Sequence, residues 1–385
     1  MSLETRDVDV QGTVAPGYEG VREAFKDNLA SGRDVGAGFA VYRNGAAVVD
    51  LWGGTHFDDR SVRITDRTLF GVNSTTKGVA AICIAMLVDR GRLDYETPVC
   101  AYWPEFAANG KAAITVGEMM SHQAGLVGAR EPVTLEDFIA HDRVAAMLAA
   151  QEPFFGPGLW GYHALTIGTL ADELVRRIDG QTIARFYVEE IASKIDVDIF
   201  LGLPIEEDDR YAAMFGPDEA AGGELEAPNP QAMAAALANP MIAWDFPNQR
   251  YWRAAGHSAA AGTASASALA KLYANLVSDG GQDEPRLLGR TVLDQAIRER
   301  VAGIDQAMGV PGRYAAGFRL NDGGIGPNPA SFGHPGFGGS VAFADPARRI
   351  GVAYVTNTMR NPDERWIDPR VAALLDALYA AEAAC

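Results

Sequence analysis

One stretch limits what this chain can fold into more than any other. Between Gly78 and Asp89 lie ten residues, Val79-Ala-Ala-Ile-Cys-Ile-Ala-Met-Leu-Val88, without a polar side chain. A helix that is apolar on every side must be enclosed on every side. The chain, at 385 residues, is long enough to enclose it, within one elaborate domain or two interleaved ones. Yet the first turn of this helix carries a lysine, Lys77. The N-terminal end of a helix is the positive end of its dipole, where a cation is unfavourable. Burial adds a desolvation cost. A residue set against its own stability suggests that something needs it there.

The formal charge of −17 repels nucleic acid and anionic membranes. No apolar run reaches the length of a membrane span. Neither nucleic acid nor membrane is therefore expected as a partner. The one dense acidic cluster, Glu206-Glu-Asp-Asp209, reads as solvated surface. The three cysteines, Cys83, Cys100 and Cys385, show no C-x-x-C and no metal-ligand spacing, so no disulfide framework, metal or cofactor is expected. The opening residues, Met1-Ser-Leu-Glu-Thr-Arg-Asp-Val8, lack the basic-then-apolar pattern of a secretory signal, and the expected location is the cytoplasm.

The spacing predicts strands at both ends and helices between. Gly38 to Gly45 and Ala46 to Trp52 read as a hairpin turning at Asn44-Gly45. Late in the chain, Tyr314–Leu320, Gly338–Phe343 and Ile350–Thr356 read as strands, the last two joined by a turn at Asp345–Arg349. Thr134-Leu-Glu-Asp137 has the form of a capping box at a helix start. Helices are expected over Leu165–Asp179, Thr182–Lys194, Ser265–Val277, Thr291–Val301 and Pro369–Ala384. Ala220–Asn248, rich in Ala, Gly, Pro and Asn, reads as a long loop or lid containing a short helix. The fold class is α+β: an antiparallel sheet formed by the N- and C-terminal segments, flanked by helices, with a mostly helical insertion. The expected division is residues 1–70 with 255–385 for the sheet domain and 71–254 for the helical one.

Ser74 and Lys77, spaced i, i+3 at a helix start, share one face with about 5–6 Å between Cβ atoms. A lysine desolvated by an apolar helix and held at a positive helix end favours its neutral amine. A neutral amine beside a hydroxyl is a general base beside a nucleophile. Taken alone, the stretch fits a plainer reading, with Asn73 or Ser74 as N-cap and Lys77 snorkelling to solvent.

Further motifs alter that balance. Pro157-Gly158-Leu-Trp160-Gly-Tyr162-His-Ala164 places Tyr162 on a loop before a helix. Phe332-Gly-His334-Pro-Gly336-Phe-Gly-Gly-Ser340 opens a strand. With Gly91-Arg-Leu-Asp94, Met120-Ser-His122-Gln-Ala-Gly-Leu126 and Phe343-Ala-Asp-Pro346, the chain resembles the serine β-lactamase/penicillin-binding-protein-like superfamily over nearly its whole length. Within it, the chain looks most like the family VIII carboxylesterases, relatives of class C β-lactamases. The resemblance implies a β-lactamase/transpeptidase-like fold. It implies Ser74 as the acylated nucleophile, Lys77 as its base or proton partner, and Tyr162 as the relay to the leaving group. His334-Pro-Gly336 takes the place of a Lys-Thr-Gly strand motif, and the backbone N–H groups of Ser74 and Phe337 would form the oxyanion hole. Whether Lys77 or Tyr162 is the base stays open.

Two departures bear on substrate. A β-lactamase of this type has Asn two residues after the tyrosine, where this chain has Ala164. It has lysine where this chain has His334, which is mostly neutral near neutral pH. Both favour a neutral ester over an anionic lactam. The expected activity is hydrolysis of small, mainly short-acyl esters through an acyl-enzyme. Alternatives are an amide hydrolase of the same fold (β-lactamase, D-aminopeptidase or amide-oligomer hydrolase) or an acyltransferase, while a non-enzymatic binding protein is disfavoured because all three motifs keep their reactive groups.

Other signals carry less. Gly156-Pro-Gly-Leu-Trp-Gly161 matches G-x-G-x-x-G but lacks a preceding βαβ strand. There is no G-x-S-x-G elbow. His122, His163 and His257 are weak candidates for a conventional base. Phe154, Phe155, Trp160, Trp244, Phe246, Trp252 and Phe337 bracket the motifs and suggest an apolar acyl pocket, with Phe154, Trp160 and Trp252 the leading substrate-binding candidates beside His334 and Gly336.

Overall fold

In the computed structural model, which describes residues 9–216, 226–278, 285–360 and 368–384, the two ends of the chain share one sheet. Near the N-terminus lie β1 (Val10–Val14), β2 (Gly36–Arg43) and β3 (Ala46–Gly54). Four short strands, β4 (Leu69–Gly71), β5 (Ile199–Leu201), β6 (Tyr211–Ala212) and β7 (Gly262–Ala264), make a small second sheet in the order β5-β7-β4-β6. The C-terminal part supplies β8 (Val301–Ile304), β9 (Pro311–Tyr314), β10 (Arg319–Leu320), β11 (Phe332–Pro335), β12 (Val341–Asp345) and β13 (Ile350–Thr356). The large sheet has nine strands in the order β1-β3-β2-β13-β12-β11-β10-β9-β8, each paired antiparallel with its neighbours. The join between the two ends is β2 against β13, from Arg43 opposite Ile350 to Ala37 opposite Thr356.

The principal helices are α1 (Glu19–Ala30), α2 (Thr76–Asp89), α3 (Thr166–Asp179), α4 (Ala266–Val277) and α5 (Pro369–Ala384). The period of two along β13 assigns its faces. Ile350, Val352 and Tyr354 pack with Phe25 of α1 and Leu374 of α5, whereas Ala353 and Val355 face the larger core that holds α2 and α4. A strand buried on both faces reads as a continuous apolar run, and β13 is buried throughout. Thr76 to Leu87 of α2 are buried without exception, as an all-round apolar helix requires.

Several expectations hold. Asn44 and Gly45 have φ of 51° and 82°, the positive values that give a hairpin turn the twist of its strands. Thr134 and Asp137 form a reciprocal capping box for the helix Leu135–Ala140. The fold is the expected antiparallel sheet with many helices.

Others are corrected. The helix expected over Thr291–Val301 spans Arg290–Ala296, and Val301 begins β8 opposite Tyr314. Edge pairing wins there because Arg298-Glu-Arg300 has no apolar face to bury. Tyr314–Leu320 is not one strand. Gly317, at φ 89°, lets the chain fold back, and Arg319 pairs with Tyr314 across the turn. The strand expected from Gly338 starts at Val341, because Gly338 and Gly339 have φ of 94° and 119° and belong to a turn. Thr182–Lys194 is an α-helix (Ile183–Tyr187) passing into a π-turn over Val188–Ala192. Strand β1, helix α1 and the small sheet had no counterpart in the sequence reading. Within Ala220–Asn248, the described part contains the helix Pro230–Leu237. Residues 220–225 and Cys385 lie outside the described residues. No helix among the described residues is long and apolar enough to cross a membrane.

Candidate active site

Ser74 is the one residue between Gly71 and Leu87 that is not buried. It sits in the 3₁₀ turn Asn73–Thr75 that opens α2. Asn73 has φ of 46°, an uncommon value for a non-glycine residue that must be held by its surroundings. The holding contacts are visible. Asn73 Nδ2 donates to the Phe337 carbonyl at 2.6 Å, and Ser340 Oγ donates to the Val72 carbonyl at 2.9 Å. From the other side, the Gly262 N–H donates to Thr76 Oγ1 at 3.0 Å. The serine turn is thus stitched between β7 and the β11–β12 turn. Gly336 is needed for that approach, since a Cβ there would lie 2.2 Å from Ser340 Oγ and 2.3 Å from the Val72 carbonyl oxygen.

Lys77 is buried in the first turn of α2. Its Nζ lies 3.0 Å from Ser74 Oγ, 2.8 Å from the Ala164 carbonyl oxygen and 3.0 Å from that of Ala259. Burial holds the amine well below the usual lysine range, because the charged form loses its hydration.

Tyr162 closes the group. Its ring centroid lies 4.8 Å from Lys77 Nζ, and its phenol hydrogen-bonds Ser74. Burial, and next the neighbouring Tyr314, raise this phenol well above its ordinary value, while the Ser74 hydrogen bond pulls the other way. The backbone beneath is fixed by Asp305, whose Oδ2 accepts the Tyr162 N–H at 2.9 Å and whose Oδ1 accepts those of Ala307 and Met308 at 2.7 and 2.9 Å.

His334 reaches the same place from β11, its ring centroid 5.9 Å from that of Tyr162. Its Nδ1 donates to the Pro335 carbonyl at 2.7 Å, which leaves Nε2 as a buried acceptor without a partner among the described residues. Burial, and next the proximity of Lys77, push its imidazolium well below the ordinary range. The ring is a neutral acceptor, not a cation.

Of the other histidine candidates, His163 and His122 are otherwise engaged. His163 Nδ1 donates to the Gly161 carbonyl at 2.7 Å and its Nε2 accepts the Leu126 N–H at 3.1 Å. Burial lowers its pKa to about 4. His122 Nδ1 accepts the His163 N–H at 3.2 Å, and its ring lies behind Tyr162 at 5.0 Å between centroids. His257 stacks on Trp252.

The aromatic candidates separate. Trp160 packs with Tyr162, Met308 and Tyr314 beside the site, and Phe337 is exposed on the turn that grips Asn73. Phe154 lies in a different cluster with Val127 and Ala232. Trp252 is buried in the helical body between Phe246 and His257. Asp305 and the carbonyls of Ala164 and Ala259 have no counterpart in the sequence analysis, and Asn73 figures there only as an N-cap candidate. The two carbonyls leave no signal there, because any residue supplies one, and Asp305 lies in no recognisable spacing with Tyr162.

Fold and site together define a serine hydrolase, with a hydroxyl, a buried amine and a phenol in mutual contact. The chain belongs to the beta-lactamase family, whose model matches residues 21–377. It is similar to the esterase/beta-lactamase LipL of Mycobacterium tuberculosis, 34% identical over 376 residues that cover 92% of this chain and 84% of LipL. Its fold matches the crystal structure of a family VIII carboxylesterase with a TM-score of 0.90 and 39% identity, covering 97% of this chain and 100% of the other. It matches a penicillin-binding-protein homologue from Caulobacter crescentus with a TM-score of 0.89 and 39% identity, at the same coverages.

Proposed function

We propose that the protein is a carboxylesterase that hydrolyses small, uncharged, mainly short-acyl esters through an acyl-enzyme on Ser74. The observation that carries this reading is the arrangement around Lys77 Nζ. A neutral amine has two N–H bonds and one lone pair. The Ala164 and Ala259 carbonyls, at 2.8 and 3.0 Å, take the two N–H bonds. The lone pair is left for the hydroxyl of Ser74 at 3.0 Å. The opposed shifts of the two groups support this division of roles, since a lowered lysine is ready to accept a proton and a raised tyrosine holds its own.

Ser74 Oγ attacks the ester carbonyl carbon and passes its proton to Lys77. The charge that develops on the carbonyl oxygen is met by the N–H groups of Ser74 and Phe337. The C–O bond to the alcohol then breaks, and Tyr162 gives the departing oxygen a proton that Lys77 replaces. A water passes a proton to the same pair and attacks the acyl carbon; the bond to Ser74 Oγ breaks, Oγ takes that proton back, and the acid leaves. His334, a neutral acceptor, offers no cation to a substrate carboxylate, and Ala164 presents only a methyl group. Both features support an uncharged ester.

The names of LipL and of the penicillin-binding-protein homologue keep lactam or amide cleavage as the second reading. Turnover of a p-nitrophenyl acyl series from acetate upward, beside a chromogenic cephalosporin and a D-amino-acid amide, decides between them. Preference for the short esters is expected, and faster cephalosporin turnover would overturn the ester assignment.

A further inference from the structure

Near Lys77 the fold forms a polar chamber, partly open to solvent, that the reaction above does not use. It has room of about 70 Å³, enough for a few waters, and is lined in part by Phe138, His141, Thr169, Asp172, His257 and Ser258. The His257 ring is gripped by Trp252, 5.5 Å away and within 29° of parallel, and by the edge of Phe138 at 5.7 Å. The residue is only 8% exposed. Neither of its ring nitrogens has a partner among the described residues, and neither has Thr169 Oγ1. Buried polar atoms without a protein partner are costly unless ordered water satisfies them.

The ionisable groups at the chamber pair with one another. His141 Nε2 meets Glu173 at 2.8 Å, and Arg176 meets Asp172 at 2.6 Å. No set of three metal-ligating side chains converges among the described residues. The occupant that fits is uncharged and both donates and accepts hydrogen bonds.

The chamber adjoins the site. Gly168 and Ser258 also line a much smaller cavity of about 10 Å³ that Lys77 and His122 border. A Cβ on Gly168 would lie 2.7 Å from both the Ala259 nitrogen and His257 Cε1, so α3 and this segment touch closely. Two residues after His257 comes the carbonyl that accepts from Lys77.

We propose that the chamber is a built hydration site, whose waters bridge His257 and Thr169 and hold the segment so that the Ala259 carbonyl meets the Lys77 amine. His257 is then a positioning residue for that amine. The proposal rests on the reading of Lys77 as the base. The titratable groups facing Lys77 are Tyr162, His122, His163, His257 and His334, and those facing His257 are His141, Asp172, Arg176 and Lys77.

His257→Phe keeps the aromatic packing and removes both ring nitrogens. It is expected to lower kcat on a p-nitrophenyl ester about 10- to 100-fold, as misplaced catalytic groups do. It is also expected to move the acidic limb of kcat/KM to lower pH, because the amine loses an acceptor and solvation that favour its charged form. His257→Gln, with one donor and one acceptor, should recover most of the rate. Thr169→Val, a change of one hydroxyl to a methyl, should act in the same direction as His257→Phe and serves if that variant fails to fold. A crystal structure at atomic resolution should show waters on both His257 nitrogens and on Thr169 Oγ1. A dry chamber, a wild-type rate and pH profile in the folded variants, or a Gln variant as impaired as Phe would each overturn the proposal. Phosphonate labelling keeps the two readings apart. Absence of label on Ser74 in the wild type would remove the underlying mechanism, whereas labelling with an unchanged His257→Phe removes only the hydration site.

Discussion

The Asp305 carboxylate accepts the main-chain N–H of Tyr162 at 2.9 Å. Through this bond the segment before β9 sets where the phenol stands over Ser74. Asp305→Ala leaves three buried N–H groups without their acceptor, at about 1–3 kcal/mol each. Lower kcat and a lower melting temperature are expected together. Asp305→Asn keeps one carbonyl oxygen and should fall between. Unchanged kcat in Asp305→Ala would show that Tyr162 is placed by its ring contacts alone.

Lys77→Arg is expected to be nearly as inactive as Lys77→Ala, because arginine keeps the charge but does not give up its proton in a protein. Full activity in Lys77→Arg would remove the amine from the mechanism.

Lys77→Met tests the burial of the amine by its pH dependence. An unfolded lysine is protonated below 10.5, and the folded amine is protonated only at lower pH. Between those values the unfolded state binds more protons, so the destabilisation due to Lys77 grows as pH falls, levelling off below the folded-state pKa. The melting temperature of Lys77→Met relative to wild type should therefore rise from about pH 9.5 to about pH 7. A constant difference would mean that the amine is not desolvated.

Tyr162→Phe should lower kcat by about 10²–10⁴, the range for a lost acid–base group. A p-nitrophenolate leaves without a proton and an alkoxide does not. The defect should accordingly be larger on an ethyl ester than on the matching p-nitrophenyl ester. Equal defects would place Tyr162 in serine activation or deacylation, and no defect would exclude it.

Acid should destabilise the fold through its buried neutral histidines. The pKa of His163 is lowered from 6.5 to about 4 and that of His257 to about 3, burial being the main cause in both. Below pH 6.5 the unfolded chain gains these protons first, so stability falls on acidification until the folded values are passed. The loss is roughly 3 kcal/mol or more for each ring. Urea unfolding at about pH 7.5 and about pH 4.5 should show the drop. Equal stabilities would show that the rings are open to bulk solvent.

The sequence by itself determined the burial of α2, the hairpin at Asn44-Gly45 and the pairing of the chain ends in one sheet. These follow from local pattern: an apolar run with no polar face, two residues suited to positive φ, and strand signals with nowhere else to pair. It also brought Ser74 and Lys77 onto one helical face, since i, i+3 spacing does so in any helix. Short edge strands such as β8 were not legible, because Val301-Ala-Gly-Ile304 shows no alternation of polarity and is a strand only because its partner β9 lies alongside. Only the tertiary structure decided that the Lys77 amine stands between two carbonyls from distant loops, that His334 presents an acceptor, and that Trp252 packs on His257 while Trp160 packs beside Tyr162. A main-chain carbonyl has the same chemistry at every residue, and an aromatic side chain suits core and pocket alike. Their roles depend on which segments the packing brings together.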